Sequence, residues 1–342
     1  MAHNLNIENG LASMMSVRLV PWHGLGTVLE SPPRTAAEAM QAANLGWEVG
    51  LKPVYCMEGG IFCQIPDKKA IVRLDKWGQP DCVPFALVGN DYQVLQNREA
   101  FEFFDPIIAA GGVTFETAGA LGKGERVWVL GKVAGDEIRI KDSDVDKVEK
   151  YLLFSTSHDG RTSVQIRFTP VRVVCQNTLM ASLVGKNDLF KVYHVPGMRT
   201  SISEAHAAVQ RILEEYSELA NIYGKFADKR LHGDELKSYL SAVFPEPKRK
   251  RGQTDRSYEE ACRKVRQMRD EAARLFKEGR GNDKPPAKDS LWAAYNGVVE
   301  LVDHCWIYAS GWQRLESIWF GEGKRVKEAA FAEAKKLVAT AA

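Results

Sequence analysis

The sequence predicts an α+β protein with a mainly antiparallel sheet backed by helices, followed by a helical C-terminal region. Strand-like alternation dominates the first half, capping motifs mark helices between the strands, and the pattern after Ser201 is helical alone. With 342 residues, of which 45% are hydrophobic and 26% charged, the composition is globular. We expect a core domain over 1–195 and a helical region over 196–342, with a basic linker at 245–257.

The first helix is predicted to begin at Thr35, because Thr35-Ala-Ala-Glu38 has the pattern of a capping box. Residues 47–55 then alternate between apolar and polar side chains, as a half-buried strand does. Gly59-Gly60 provides a turn, and residues 61–65 continue with the same period of two. The chain therefore opens with a helix that leads into a meander.

A second helix is predicted from Asn97, and Pro106 should shorten or kink it. Two hairpins follow, with strands expected at 113–117 and 126–133, and at 148–157 and 162–168. The second hairpin should turn at His158-Asp-Gly160, since Asp-Gly tolerates the positive φ of tight turns. A further helix is expected to begin near Asn177.

The C-terminal half shows four helical segments separated by polar linkers. They are a long helix opened by a second capping box at Ser201-Ile-Ser-Glu204, a charged helix over 258–277, an apolar helix capped by Ser290, and an amphipathic helix from Lys324.

Charge is distributed unevenly along the chain. The formal net charge is +2, yet residues 244–290 hold fourteen Lys and Arg against nine Asp and Glu, a local net of +5. Clustered basic charge favours an anionic partner, while a solvated helix face is the alternative.

Six scattered cysteines without a CxxC pair indicate reduced thiols in a cytoplasmic protein. We expect no zinc site, because the Cys and His residues lack ligand spacing. We expect no signal peptide, because a basic N-terminal region is missing, and no membrane partner, because no apolar run reaches about 18 residues.

The predicted strands suggest a nucleic-acid interface. One face of the strand over 126–132 carries Arg126, Trp128 and Lys132, and one face of the next hairpin carries Arg161 and Arg167. Cationic side chains neutralise phosphates, and an aromatic ring stacks on bases without selecting a sequence. The alternative is the ordinary polar outer face of an antiparallel sheet.

Trp22 and His23 lie beside two glycines in Pro21-Trp-His-Gly-Leu-Gly26. We interpret Trp22 as a plug in the core and His23 as a structural hydrogen-bonding group, with stacking on nucleic acid as the alternative. His23, His158 with Asp159, and His194 are the candidates if the protein is an enzyme. No Ser-His-Asp order or HExxH motif accompanies them, so the sequence favours binding over catalysis.

Four segments resemble the phage/plasmid-like proteins that are built on a domain of unknown function. They are PWHGLGT (21–27), TPVRVVCQNTL (169–179), LWAAYNGVVELVDH (291–304) and ESIWFGEGKRVKEAA (316–330). The resemblance implies an origin in a phage, prophage or plasmid, and hence the cytoplasm of a host bacterial cell. The family name carries no activity.

The order of helix, Gly-Trp, meander, hairpins and helix is similar to that of the phage single-strand annealing recombinases of the Redβ and Erf type. This similarity implies a homo-oligomer that binds single-stranded DNA in a basic groove and anneals complementary strands without a cofactor. The residues predicted to bind are Arg126, Trp128, Lys132, Arg161, Arg167, Arg172, Lys248, Arg249, Lys250 and Arg251. The alternatives are an interaction or anti-defence protein and a metal-dependent nucleic-acid enzyme.

Overall fold

Sheet and helix alternate along the chain in a computed structural model, and the α+β fold class is confirmed. The structure describes residues 5–18, 24–80, 82–135, 137–172, 177–178, 189–214, 216–306, 317–318 and 321–339. Within these ranges no helix combines the length and the apolar character that a membrane crossing needs.

The strands are β1 (Ile7–Glu8), β2 (Leu11–Ala12), β3 (Met14–Val17), β4 (Thr27–Leu29), β5 (Val49–Glu58), β6 (Ile61–Arg73), β7 (Ala86–Val88), β8 (Val113–Leu121), β9 (Arg126–Val133), β10 (Ile138–Arg139), β11 (Lys147–Ser157), β12 (Val164–Arg172), β13 (Asn177–Thr178) and β14 (Leu189–Val192). The helices are α1 (Ala36–Ala42), α2 (Asn97–Glu102), α3 (Asp105–Ala109), α4 (Met198–Glu214), α5 (Tyr216–Asp228), α6 (Gly233–Val243), α7 (Asp255–Glu278), α8 (Leu291–Glu300) and α9 (Glu322–Ala339), and a π-helical turn covers Leu301–Cys305.

The chain divides into two compact units. Unit 1 contains residues 1–135, 151–168 and 188–214, and unit 2 contains residues 136–150, 169–187 and 215–342. Unit 1 carries most of the sheet, whereas unit 2 contains α5 to α9.

The main sheet of unit 1 has the strand order β12-β11-β9-β8-β3-β4, with β14 beside β12. Its described pairings are antiparallel except for β3 with β4, which run parallel. A separate antiparallel sheet has the order β5-β6-β7. In unit 2, β10 pairs with the first residues of β11, and β13 pairs with the last residues of β12.

Helix α1 begins where the capping motif predicted it. The Thr35 hydroxyl accepts a hydrogen bond from the Glu38 amide at 3.2 Å, while the Glu38 carboxylate accepts from the Arg34 amide at 2.8 Å. The Ala36 amide donates to the Asp105 carboxylate at 2.8 Å, which joins the beginning of α1 to that of α3. These bonds satisfy amides that the first helical turn leaves without partners.

Aromatic side chains from the helices and the sheet form the core of unit 1. Phe101 and Phe104 contact Phe115 of β8 with ring centroids 6.2 and 5.7 Å apart, and Phe103 contacts Phe154 of β11 at 5.0 Å. The helices thus pack against the sheet through tilted ring contacts, and such aromatic side chains dominate the energetics of a core.

Gly26 brings the chain close to the sheet just before β4. Its φ is 93°, and a Cβ atom there would lie 2.7 Å from the carbonyl oxygen of Met14. Only glycine combines that backbone conformation with so close an approach. The preceding Trp22 and His23 lie outside the described residues, so both interpretations of them stay predictions.

Several predicted boundaries are corrected. The prediction of a helix near Asn177 is wrong, because Asn177 and Thr178 pair with β12 as strand β13. Gln96 rather than Asn97 caps α2. Helix α4 begins at Met198, so the second capping box lies inside it. Pro106 falls in the first turn of α3, where its missing amide costs nothing.

In unit 2, the core is aromatic and joins three helices. Tyr223 and Phe226 of α5 contact Trp292 and Tyr295 of α8, and Phe331 of α9 closes the cluster at 5.6 Å from Phe226. The indole of Trp292 donates to Asp146 at 2.9 Å. A buried ion pair joins Lys327 of α9 to Asp303 at 2.9 Å.

Helices α7 and α8 pack closely where α8 has a glycine. A Cβ atom on Gly297 would lie 3.0 Å from the Phe276 amide nitrogen and 3.1 Å from the Ala272 carbonyl oxygen. The Asn282 amide also donates to the carbonyls of Leu275 at 2.9 Å and Ala293 at 3.2 Å, which fixes the end of α7 against α8.

We predict that Gly297→Ala lowers the free energy of unfolding by about 1–3 kcal/mol, because the added methyl group pushes the two helix backbones apart. Gly224→Ala in α5 is the control, since no atom lies within 4 Å of its added Cβ. That substitution should raise stability by roughly 0.5–1 kcal/mol through helix propensity. Urea unfolding measures both, and equal stabilisation by the two alanines would contradict the close packing.

Candidate nucleic-acid interface

The residues predicted on the sheet face differ in accessibility. Arg126, Trp128 and Arg167 are buried, and Trp128 is only 3% exposed. Lys132 is half-buried and Arg161 is exposed. Arg172 is the last residue of β12, and its side chain lies outside the described part of the structure. Among the predicted sheet residues whose side chains the structure describes, Arg161 therefore offers the most accessible cation.

Asp159 brings two of the predicted arginines together in the β11–β12 connection. Its carboxylate lies 3.8 Å from an Nη atom of Arg126 and 4.0 Å from Nε of Arg161. The Arg126 side chain is about 10% exposed, against 78% for Arg161. The buried arginine thus shares a carboxylate with an exposed one at the edge of unit 1.

The β11–β12 connection is longer than the tight turn that the sequence predicted. Strand β11 ends at Ser157 and β12 begins at Val164, so six residues separate them. Gly160 has the predicted positive φ, at 68°. The Ser157 hydroxyl accepts from the Thr162 amide at 3.2 Å, which closes the connection from inside.

The predicted linker residues lie in unit 2 and are all exposed. Together with the first turns of α7 they form a basic surface, which we define as Lys248, Arg249, Lys250, Arg251, Arg256, Arg263, Lys264 and Arg266. Residues 248–266 contain these eight cations and three acidic residues, a local net of +5.

Local hydrogen bonds and charges explain how α7 holds this surface. The Thr254 hydroxyl caps the helix by accepting from the Ser257 amide at 3.3 Å. Arg249 forms an ion pair with Asp255, and its guanidinium lies 5.7 Å from the centre of the Tyr258 ring. The linker is thereby held against the beginning of α7, with a tyrosine ring among the cations.

A buried polar cluster in unit 1 contains two of the candidate catalytic histidines. His158 is 1% exposed, and its Nε2 atom lies 2.9 Å from Oδ1 of Asn97. The rings of Trp47 and Phe85 lie beside the imidazole, with their centroids 5.6 and 6.1 Å from its centroid. Burial, with smaller effects from His194 and Arg73, lowers the pKa of His158 to about 3.

His194 is held beside this cluster by three contacts. Its Nδ1 atom lies 3.0 Å from the Gln93 carbonyl oxygen, and its Nε2 atom lies 3.4 Å from the Thr156 hydroxyl. Tyr92 stacks on the ring at 4.9 Å and donates to the Ser157 carbonyl at 3.2 Å. Burial also lowers the pKa of His194. Both imidazoles are neutral near pH 7 and connect the β11–β12 hairpin to neighbouring segments.

This cluster has the properties of a structural network. A general base must be reached by its substrate, whereas His158 is enclosed by two aromatic rings and an amide. Among the described residues, no group of three or more His, Cys, Asp or Glu side chains is arranged to hold a metal ion.

These features define an α+β protein with a buried polar cluster in one unit and an exposed basic helical surface in the other. The chain belongs to the family defined by a domain of unknown function, DUF932, whose model matches residues 84–319. The predicted resemblance to proteins built on such a domain is confirmed at that level. No curated protein and no solved structure matches the chain.

The buried histidines predict acid sensitivity. Because the folded pKa of His158 is about 3 and the unfolded value is near 6.5, the unfolded chain binds this proton more tightly. The contribution of neutral His158 to the free energy of unfolding is therefore fully present above about pH 6.5. It is lost as the pH drops towards 3, by about 1.4 kcal/mol per pH unit for one proton. Urea unfolding at pH 7.5, 6.0 and 5.0 measures the slope.

His158→Gln should reduce that slope by about one proton, while the lowered pKa of His194 retains part of it. His232→Gln serves as the control, because that imidazole is exposed at the beginning of α6. An unchanged slope in His158→Gln would show that another group governs the acid response.

Proposed function

We propose that this protein binds single-stranded nucleic acid, DNA in the first place, through its basic surface and anneals complementary strands. The observation that carries the proposal is the exposure of all eight cations of the basic surface within a segment of net charge +5. A phosphate backbone offers regularly spaced negative charges, and such an array binds to clustered Lys and Arg with release of counterions.

The free cations of α7 support a polyanionic ligand. Within the described part of the chain, Arg249 pairs with Asp255 and Lys264 with Glu260, whereas Arg256, Arg263 and Arg266 make no ion pair. A solvated helix face is typically balanced by i,i+4 pairs of opposite charge. Each of these three arginines has an acidic residue four positions away, at Glu260, Glu259 and Asp270, yet forms no ion pair with it among the described residues. Their guanidinium groups are therefore available to a polyanionic ligand.

Tyr258 supports a single strand over a duplex. Its ring lies among the cations, with Arg249 stacked nearby. An aromatic ring can stack on a base that is unpaired, and such stacking tolerates any base. Arg161 in unit 1 adds an exposed cation, while the buried Arg126 and Arg167 belong to the interior of that unit.

Annealing follows from this mode of binding. When phosphates lie on Lys and Arg and only occasional bases stack, the remaining base edges stay open for a complementary strand. The phage or plasmid origin that we propose from the sequence motifs would fit the same role. The proposal needs no cofactor and no covalent step.

Removing the linker charges should weaken binding. We predict that Lys248→Ala/Arg249→Ala/Lys250→Ala/Arg251→Ala loses at least tenfold affinity for a labelled 30-mer of single-stranded DNA at 100 mM salt. The slope of log K against log salt should decrease by about 0.7 for each lost phosphate contact. Fluorescence anisotropy across a salt series provides both values, and fluorescence quenching between complementary oligonucleotides reports annealing.

Arg34→Ala/Lys68→Ala/Lys191→Ala/Lys237→Ala is the matched control, since it removes four exposed cations outside the basic surface. It should leave affinity within about twofold. Absence of binding by the wild type at low salt would refute the proposal and favour a protein partner, while equal losses in both variants would mean that overall charge binds the ligand.

Tyr258 should contribute by stacking. Tyr258→Ala is expected to cost about 1–3 kcal/mol of single-strand affinity, and Tyr258→Phe should retain it because the ring remains. Binding to a duplex of the same length should change little in either variant. Loss in both variants would assign the role to the tyrosine hydroxyl instead.

A further inference from the structure

The outer part of the β5–β6 hairpin forms an arm, which we define as residues 54–65. The strands pair regularly from Val54 opposite Ile65 to Glu58 opposite Ile61. Towards the base the register shifts, because Pro53 is opposite Lys69 and residues 66–68 have no cross-strand partner. Strand β7 pairs only with residues 69–71. The arm is therefore a two-stranded ribbon, set off from its sheet by a bulge.

Both faces of the arm are apolar and open to water. Cross-strand partners share a face, so Tyr55, Met57 and Phe62 lie on one face of the ribbon. Ile61, Cys56 and Cys63 lie on the other. Tyr55, Met57, Ile61 and Phe62 are between 53% and 69% exposed. A two-stranded ribbon of this kind is marginally stable in water without a covering partner.

The charge of the arm restricts what can cover it. Glu58 is its one ionisable residue besides the two cysteines and Tyr55, and it holds no Lys or Arg. A phosphate backbone would find no cation there. An equally uncharged and apolar surface matches it, and the arm of another copy of this chain is such a surface.

The exposed apolar area is divided between the two faces. At about 200 Å² for each large side chain, Tyr55, Met57 and Phe62 leave roughly 370 Å² on one face, and Ile61 leaves roughly 140 Å² on the other. Apolar patches on monomers reach a few hundred Å², and one partner of a standard interface buries about 800 Å². The larger face thus supplies nearly half of one side of a standard interface, and neighbouring residues must supply the rest.

We propose that the arm is a self-association surface, on which arms of successive copies stack face to face. Because each arm has two apolar faces, covering one by a neighbour leaves the other free for the next copy. The assembly therefore extends beyond a dimer. Pro53 and Pro66 lie at the base of the arm, where neither backbone nitrogen can donate to an added strand.

The mass of the protein, measured by light scattering after gel filtration without nucleic acid, tests this proposal. The wild type at 5–100 µM should form species of more than two copies, and Tyr55→Glu/Phe62→Glu should raise the dissociation constant at least tenfold and give monomers. Leu11→Glu/Leu87→Glu is the matched control, because both leucines are similarly exposed outside the arm, and it should keep the wild-type mass.

A monomeric wild type at 100 µM, a species that stops at a dimer, or an unchanged mass in the arm variant would overturn the proposal. These outcomes are independent of the proposed function, since no nucleic acid is present.

A second measurement uses the wild-type chain and so does not depend on a variant that folds. Cys56 and Cys63 are exposed in one copy, whereas stacked arms cover them. Their labelling by a maleimide, located by peptide mass, should slow several-fold between 1 and 100 µM protein. Cys262 in unit 2 should label at a constant rate and is the internal reference. Labelling rates of Cys56 and Cys63 that stay unchanged between 1 and 100 µM protein would contradict stacking.

Discussion

Asn97 is the group on which the arrangement of unit 1 depends. Its amide nitrogen donates to the carbonyls of Leu45 and Trp47, and its amide oxygen lies 2.9 Å from Nε2 of His158. The neighbouring Gln96 donates to the Val49 carbonyl and accepts from the Val49 amide. The cap of α2 and its first residue thereby hold the beginning of β5 and the β11–β12 connection together. Replacing either amide would leave buried carbonyls or imidazole nitrogen without partners, which is costly in a low-dielectric interior.

Much of the fold could be predicted because its signals are local. The cap at Thr35, the cap at Ser290 and the glycine at 160 each specify a conformation within a few residues, and the structure has all three. Strand β13 could not be predicted in this way, because Asn177 and Thr178 become a strand through pairing with distant β12. Residues 61–65 alternate like a half-buried strand, yet both faces are exposed. Alternation records the period of a strand and carries no information on what packs against it.

The candidate site was predictable where it depends on charge in sequence and unpredictable where it depends on burial. Lys248 to Arg251 are exposed, as expected of a cationic run between helices. Trp128 and Arg167 have the same alternation as an outer sheet face and are nevertheless buried. The continuation of the basic surface into α7 was missed as a site, although the +5 charge of the region was its signal. The contact of Asp159 with Arg126 could not be predicted, because it joins the β11–β12 connection to β9.

The buried pair of Lys327 and Asp303 has a consequence for how the C-terminal helix finds its place. Hydrophobic contacts such as those of Phe331 tolerate small rotations and one-turn slips, since many settings bury a similar area. A shift of α9 by one turn would instead separate Lys327 from Asp303 and leave two opposite charges apart in an apolar environment, which is strongly destabilising. The pair therefore disfavours slipped registers of α9 that hydrophobic contacts alone would tolerate.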